Sequence, residues 1–251
     1  MAAIGIDYGT SNSEVIFFDG QQHHFIKLDP SQSAANKIRS SVFIYYDGEL
    51  PRPPIPTIEA KVAQLKRAIS AQIDKAKEGY YEANDPKEER IYSGRIDDLR
   101  ANFHNLPALQ ERAIEILMDD MTVQDIPLHR LVETGKFAFG EEGFKRYLRT
   151  PDKGRLIYSP KNFLGASLIP GQHEAFVGMI AKQLAFFRLS AEQQLKQTVD
   201  TAVIGRPVKF HGSRGQDGNN QAIDIMTKAA KKAGFTQVEF LEEPIAAAYK
   251  I

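Results

Sequence analysis

One short stretch restricts the fold more than any other: Ile4-Gly5-Ile6-Asp7-Tyr8-Gly9-Thr10-Ser11-Asn12-Ser13. It is an apolar run that ends on a carboxylate and turns through small, hydroxyl-bearing residues into a second β-prone run. Residues 2–7, 14–19 and 23–27 are apolar or alternating segments parted by that loop and by Asp19-Gly20, the punctuation of an antiparallel meander. A further strand is expected over 41–46, closed by Asp47-Gly48. The loop suits an anion. Gly9 lets the backbone approach closely, and the N–H groups and hydroxyls of Thr10, Ser11 and Ser13 can donate to phosphate oxygens without a full positive charge. Asp7 would face a cation, and Mg²⁺ fits because it keeps several of its waters and needs few protein ligands. The same residues also read as an ordinary hairpin turn, since turns favour Gly, Thr, Ser and Asn in any case. A Walker loop is excluded, because no Gly-Lys-[Ser/Thr] is present and a strand follows where a helix should; the Rossmann fingerprint fails too.

Beyond Gly48, Pro51, Pro53, Pro54 and Pro56 break the strand pattern, and Ile58, Val62, Leu65, Ile69 and Ile73 then recur at helical spacing. Residues 79–108 read as polar, aromatic and irregular, and 109–121 as helix again. In the last third, Phe176, Ile180, Leu184 and Phe187 share one helix face, and Ser190 with Gln193 has the form of a capping box that would open another helix. Residues 198–205 are a β-branched run, 221–233 a helix stopped by Gly234, 238–241 a strand, and Pro244 stands at a helix start. Strand, helix, strand argues for a parallel crossover.

Charge and composition exclude several classes. Lys and Arg number 32 against 32 Asp and Glu, so the summed charge offers no general attraction to nucleic acid or anionic membranes. With no cysteine there is no disulfide framework and no thiolate metal site, which fits a reducing compartment. Asp7 interrupts the apolar run a signal peptide needs, and no stretch approaches the roughly 18–20 apolar residues that cross a bilayer, so a cytoplasmic location is expected. The six histidines, His23, His24, His104, His129, His173 and His211, lack zinc spacing, and no Gly-x-Ser-x-Gly marks a serine nucleophile.

Residues 5–13 resemble the first phosphate motif of the 70-kDa heat-shock chaperone ATPases of the DnaK type, within the actin-like ATPase superfamily. Ser11 stands where that family usually has a second Thr, and Tyr8 replaces an aliphatic residue. Near the other end, Phe240-Leu241-Glu242-Glu243-Pro244-Ile245-Ala246-Ala247-Ala248-Tyr249 resembles the family's connecting hinge. There Ala246, Ala247 and Ala248 would pack against a counterpart helix of the other lobe, and Glu243 takes the place of the carboxylate before the proline. Glu243 also reads as a charge favourable to a helix N-terminus. Thr201-Ala202-Val203-Ile204-Gly205-Arg206-Pro207-Val208 is similar to the strand and turn that precede this hinge. Ser159-Pro160-Lys161-Asn162-Phe163-Leu164-Gly165, preceded by Phe139-Gly140-Glu141-Glu142-Gly143, resembles the stretch carrying the family's phosphate-binding lysine, which makes Lys161 the candidate. A lone lysine is also an ordinary surface charge. The lengths of chain on either side of Lys161 depart from DnaK and look more like the divergent YegD group.

The resemblance implies an α/β fold: one lobe of the actin-like (ribonuclease H-like) ATPase architecture with a mixed sheet, built from 1–48 and 166–251, with an inserted α/β subdomain over 49–165. It implies ATP or ADP with Mg²⁺. Asp7 and Glu243 would organise the ion, largely through water, together with the attacking water. Gly9, Thr10, Ser11, Asn12 and Ser13 would hold phosphates, and Lys161 would neutralise charge. Nucleotide is the implied partner, with unfolded polypeptide or a co-chaperone for the whole protein, and neither nucleic acid nor membrane. The family's glycine-rich second phosphate motif does not occur before Ile251, so this chain alone is expected to bind ATP weakly and turn it over negligibly. Two alternatives stand beside a chaperone ATPase. One is a small-molecule kinase of the same superfamily, with Glu243 or a nearby carboxylate as base; the other is a non-hydrolysing scaffold shaped by nucleotide.

Overall fold

The computed structural model describes residues 2–29, 35–210 and 215–248. His211, Tyr249, Ile251 and the side chains of Ala246, Ala247 and Ala248 lie outside the described residues. The chain divides into two compact units, residues 1–48 with 123–251, and residues 49–122.

The first unit opens with the expected meander. Strand β1 (Ala2–Asp7) pairs antiparallel with β2 (Asn12–Phe18), and β2 with β3 (His23–Phe25). A short β4 (Lys37–Arg39) also pairs with β2, matching Asn12 to Arg39. Strand β5 (Ser41–Tyr45) follows and is buried along its whole length, with Val42, Phe43 and Ile44 at 0% exposure.

The second unit is helical among the described residues: α1 (Ile55–Glu82), α2 (Pro86–His104) and α3 (Leu106–Asp120). The stripe read from the sequence packs as expected, with Ile58 and Val62 of α1 against Leu109 and Ala113 of α3, and Leu65 and Ile69 beside them. The irregular segment expected over 79–108 is instead the end of α1, the whole of α2 and the start of α3. In α2 the apolar residues Tyr92, Ile96, Leu99 and Phe103 recur at helical spacing, Ile96 buried and the other three half-buried, a stripe that the reading of this segment as irregular passed over. The start of α2 is well marked too. Asp85 accepts from the Lys87 and Glu88 N–H groups at 2.6 and 3.0 Å, with Pro86 at the first helical position.

The chain returns to the first unit at Val123 through α4 (Leu128–Thr134), β6 (Lys136–Phe139), α5 (Gly140–Arg149) and β7 (Gly154–Tyr158). Strands β6 and β7 flank β5 in a three-stranded antiparallel sheet, so residues 123–165 group with the outer segments and not with 49–122. Helix α6 (Pro170–Leu195) runs unbroken through Ser190, where a new helix was expected. Its face carries Phe176, Ile180, Leu184 and Phe187, all buried, each worth roughly 1.5–3 kcal/mol removed from water. Then come β8 (Val199–Arg206), α7 (Gln216–Lys232), ended by Gly234 at φ +98°, β9 (Gln237–Glu242) and α8 (Glu243–Ala248). Strand β8 is parallel to both β1 and β9, giving a mixed sheet in the order β3-β2-β1-β8-β9. The protein is thus a mixed α/β chain. No described helix is long and apolar enough to cross a membrane.

Candidate functional site

Three parallel strands, β1, β8 and β9, end at one edge of the sheet, the position at which open α/β sheets carry ligands. Asp7 closes β1 and is exposed; Glu243 follows β9 directly. Between them lies Gly205, where a Cβ would stand 3.8 Å from Glu243 Cγ and 4.0 Å from Asp7 Cα. The two carboxylate residues therefore converge on one strand end.

Lys161 joins them from the side. It sits in a short turn, Pro160–Phe163, and is 5% exposed. Its ammonium donates to the Tyr8 carbonyl at 2.7 Å and to Glu243 Oε1 at 2.5 Å. A buried ammonium is tolerated only when paired, and here a half-exposed carboxylate and a loop carbonyl provide that pairing. The reading of Lys161 as a solvated surface charge fails on its burial.

The loop from Tyr8 to Asn12 is held through its carbonyls. Tyr8 O accepts from Lys161, Gly9 O from Ser40 Oγ at 2.7 Å, Thr10 O from Ser159 Oγ, and Ser11 O from the Ser40 N–H at 2.9 Å. Among the described residues every peptide bond is trans, so the N–H of each following residue points away from the carbonyl before it. The amides of Gly9, Thr10, Ser11 and Asn12 are thereby turned from the groups that grip the loop. Backbone N–H groups of a turn are groups to which an anion can bind. Gly9 is obligatory, because a Cβ there would lie 2.1 Å from the Asn12 carbonyl oxygen.

Of the residues picked from sequence for phosphate contact, Thr10, Ser11 and Asn12 are exposed and Gly9 is half-buried. Ser13 is different: it belongs to β2, is fully buried and lies 3.2 Å from Ser40 Oγ. The single hydroxyl proton of Ser40 goes to Gly9 O, so Ser13 donates to Ser40. Its hydroxyl supports the loop from within.

Beneath the loop, the Tyr8 ring is buried and its hydroxyl donates to Gln183 Oε1 of α6 at 2.8 Å. Burial pushes the phenol well above its ordinary pKa, so it remains a donor. Ser40, Ser159 and Gln183 were not singled out from sequence. Only Ser159 carried a signal, since Ser-Pro favours turn initiation.

The donor set suits a hard cation held mostly by water. Asp7 and Glu243 are the carboxylates that meet at this strand end, and no group of three or more His, Cys, Asp or Glu able to hold a metal ion occurs among the described residues. A scan against protein-family models finds no match to this chain.

Proposed function

We propose that this chain is the nucleotide-binding lobe of a Mg²⁺-dependent ATPase of the actin-like superfamily, similar to the heat-shock chaperones of the DnaK type and to the YegD group. One observation carries the reading: four successive loop carbonyls accept hydrogen bonds from Lys161, Ser40 and Ser159, so the amides of residues 9–12 each point opposite to a held carbonyl, in a loop that Lys161 ties to Glu243. The antiparallel meander followed by two parallel strands supports the same reading, since it brings the loop and Glu243 to one sheet edge.

In this reading Gly9, Thr10, Ser11 and Asn12 hold phosphate oxygens through N–H groups and hydroxyls, and Ser13 braces them. Lys161 neutralises developing charge once its ammonium turns from Glu243 toward phosphate. Asp7 and Glu243 would hold Mg²⁺ through its waters, and the bound ion would supply further neutralisation of phosphate charge. Glu243, once parted from Lys161, accepts a hydrogen bond from the attacking water and orients it. Polypeptide clients or a co-chaperone belong to the same proposal, with no residue of this chain assigned to them.

The test is a titration of the ¹⁵N-labelled chain with Mg-ATP into the millimolar range. Amide shifts should change first at residues 9–12, and Lys161→Met should weaken the response. Unmoved loop amides at saturating Mg-ATP would refute the reading.

A further inference from the structure

We propose that Ser40 and Ser159 form a clamp that positions the phosphate loop, with Ser159 held in a strained backbone conformation for that purpose; the inference rests on the nucleotide reading. Ser159 has φ +48° and ψ +61°, the left-handed region that only glycine enters freely. Such a residue persists only where its surroundings over-determine it. Three bonds do so here. Its N–H donates to Ser40 O at 2.7 Å, its carbonyl accepts from the Asn162 N–H at 2.9 Å, and its hydroxyl donates to Thr10 O.

Among the described residues the other non-glycine at positive φ, Lys196, follows the last turn of α6, a place where left-handed residues are common. Ser159 has no such excuse. It starts the turn that carries Lys161, so one turn grips the loop at Tyr8 O through Lys161 and at Thr10 O through Ser159. Ser40 takes the carbonyl between them, Gly9 O, while its own carbonyl receives the Ser159 N–H. The two serines and the loop form a closed ring of hydrogen bonds, in which the Oγ of Ser159 holds the Thr10–Ser11 peptide by its carbonyl.

Ser159→Gly isolates the effect, because glycine keeps the left-handed backbone without strain and removes only the hydroxyl. Ser159→Asn serves as the rescue, since Asn tolerates the same backbone and carries an N–H donor. The measurements are thermal melting and the Mg-ATP titration of loop amides on the full chain. Ser159→Gly should melt at or above the wild-type temperature yet bind Mg-ATP roughly three- to tenfold more weakly, the scale of one lost hydrogen bond. Ser159→Asn should recover most of that affinity. Wild-type affinity in Ser159→Gly overturns the clamp and leaves the nucleotide reading intact. A loss of affinity that tracks a lower melting temperature and is not rescued by Asn also overturns it. A wild-type chain whose loop amides ignore Mg-ATP overturns the nucleotide reading, and the clamp's ligand role with it.

Discussion

The bond between Lys161 and Glu243 joins the turn after β7 to the end of β9, and its strength can be worked out before it is measured. Lys161 is 5% exposed and the Glu243 side chain 43%, so the pair is buried on one side and wetted on the other. Removing one partner of a fully buried pair costs about 3–5 kcal/mol, and a charge-assisted hydrogen bond about 1.5–3 kcal/mol. Water can reach Glu243, and Tyr8 O still accepts from the ammonium, so Glu243→Ala should cost about 1.5 kcal/mol, the low end. Lys161→Met leaves Tyr8 O without its donor but also removes a buried charge, and should cost about 1 kcal/mol. Once the ammonium is gone, Glu243→Ala should cost almost nothing. The cycle therefore has a coupling energy of about 1.5 kcal/mol, well beyond the roughly 0.3–0.5 kcal/mol by which independent sites depart from additivity. Urea unfolding at pH 7, compared at equal m-values, measures it. If Glu243→Ala is as costly with Met at 161 as with Lys, the pair does not form and the site has been assembled wrongly.

Gly9→Ala places a methyl group 2.1 Å from the Asn12 carbonyl oxygen, so the turn must open; a loss of about 1–3 kcal/mol in urea unfolding is expected, together with the Mg-ATP response of residues 9–12. Tyr8→Phe strips the donor from Gln183, which is fully buried and whose Nε2 also finds no partner among the described residues; a cost of about 1–3 kcal/mol is expected, largely restored in Tyr8→Phe/Gln183→Leu, and a neutral single variant would refute the buried bond. At Asp47, the hydrogen bond from Lys136 at 2.8 Å holds the carboxyl below its usual range. A depressed carboxylate contributes stability above its unfolded pKa of about 4 and loses it as pH falls through the folded value, so Asp47→Asn should flatten the acid limb of a stability–pH profile and leave the slope above pH 5 unchanged.

Much of the first unit was legible because its signals are local. Alternation and turn residues gave β1 to β3, a β-branched run gave β8, and Gly234 gave the end of α7. Where the signal was misread, the reason is physical. Ser190 and Gln193 spell a capping box, but a capping box acts only on unsatisfied N–H groups, and inside α6 these already have intrahelical partners. Ala191, fully buried, continues the apolar face across the supposed break. Helix α2 was missed although its signals are local, since Tyr92, Ile96, Leu99 and Phe103 recur at helical spacing and its cap at Asp85-Pro86 is plain. Strand β4 is three polar and apolar residues whose strand character comes from pairing with Asn12–Glu14, which no local pattern encodes.

The candidate site divides along the same line. Gly9, Thr10 and Asp7 stand in one contiguous motif, so their chemistry could be read from neighbours in sequence. The groups that aim that motif come from far along the chain: Ser40, Ser159 and Lys161 meet the loop only because β4, β7 and the turn after β7 converge on it. Serine is too common for its position to be informative by itself. Tyr8 shows how such a dependence can still leave a trace. Its hydroxyl is an anomaly where an aliphatic residue would fill the core, and it is tolerable only because Gln183 of α6 accepts from it. A polar residue at an expected core position therefore predicts a second polar residue elsewhere in the chain. Tyr8 and Gln183 should be substituted together or not at all, and the same holds for Ser40 with Ser13, whose hydroxyls share one chain of donation into Gly9 O.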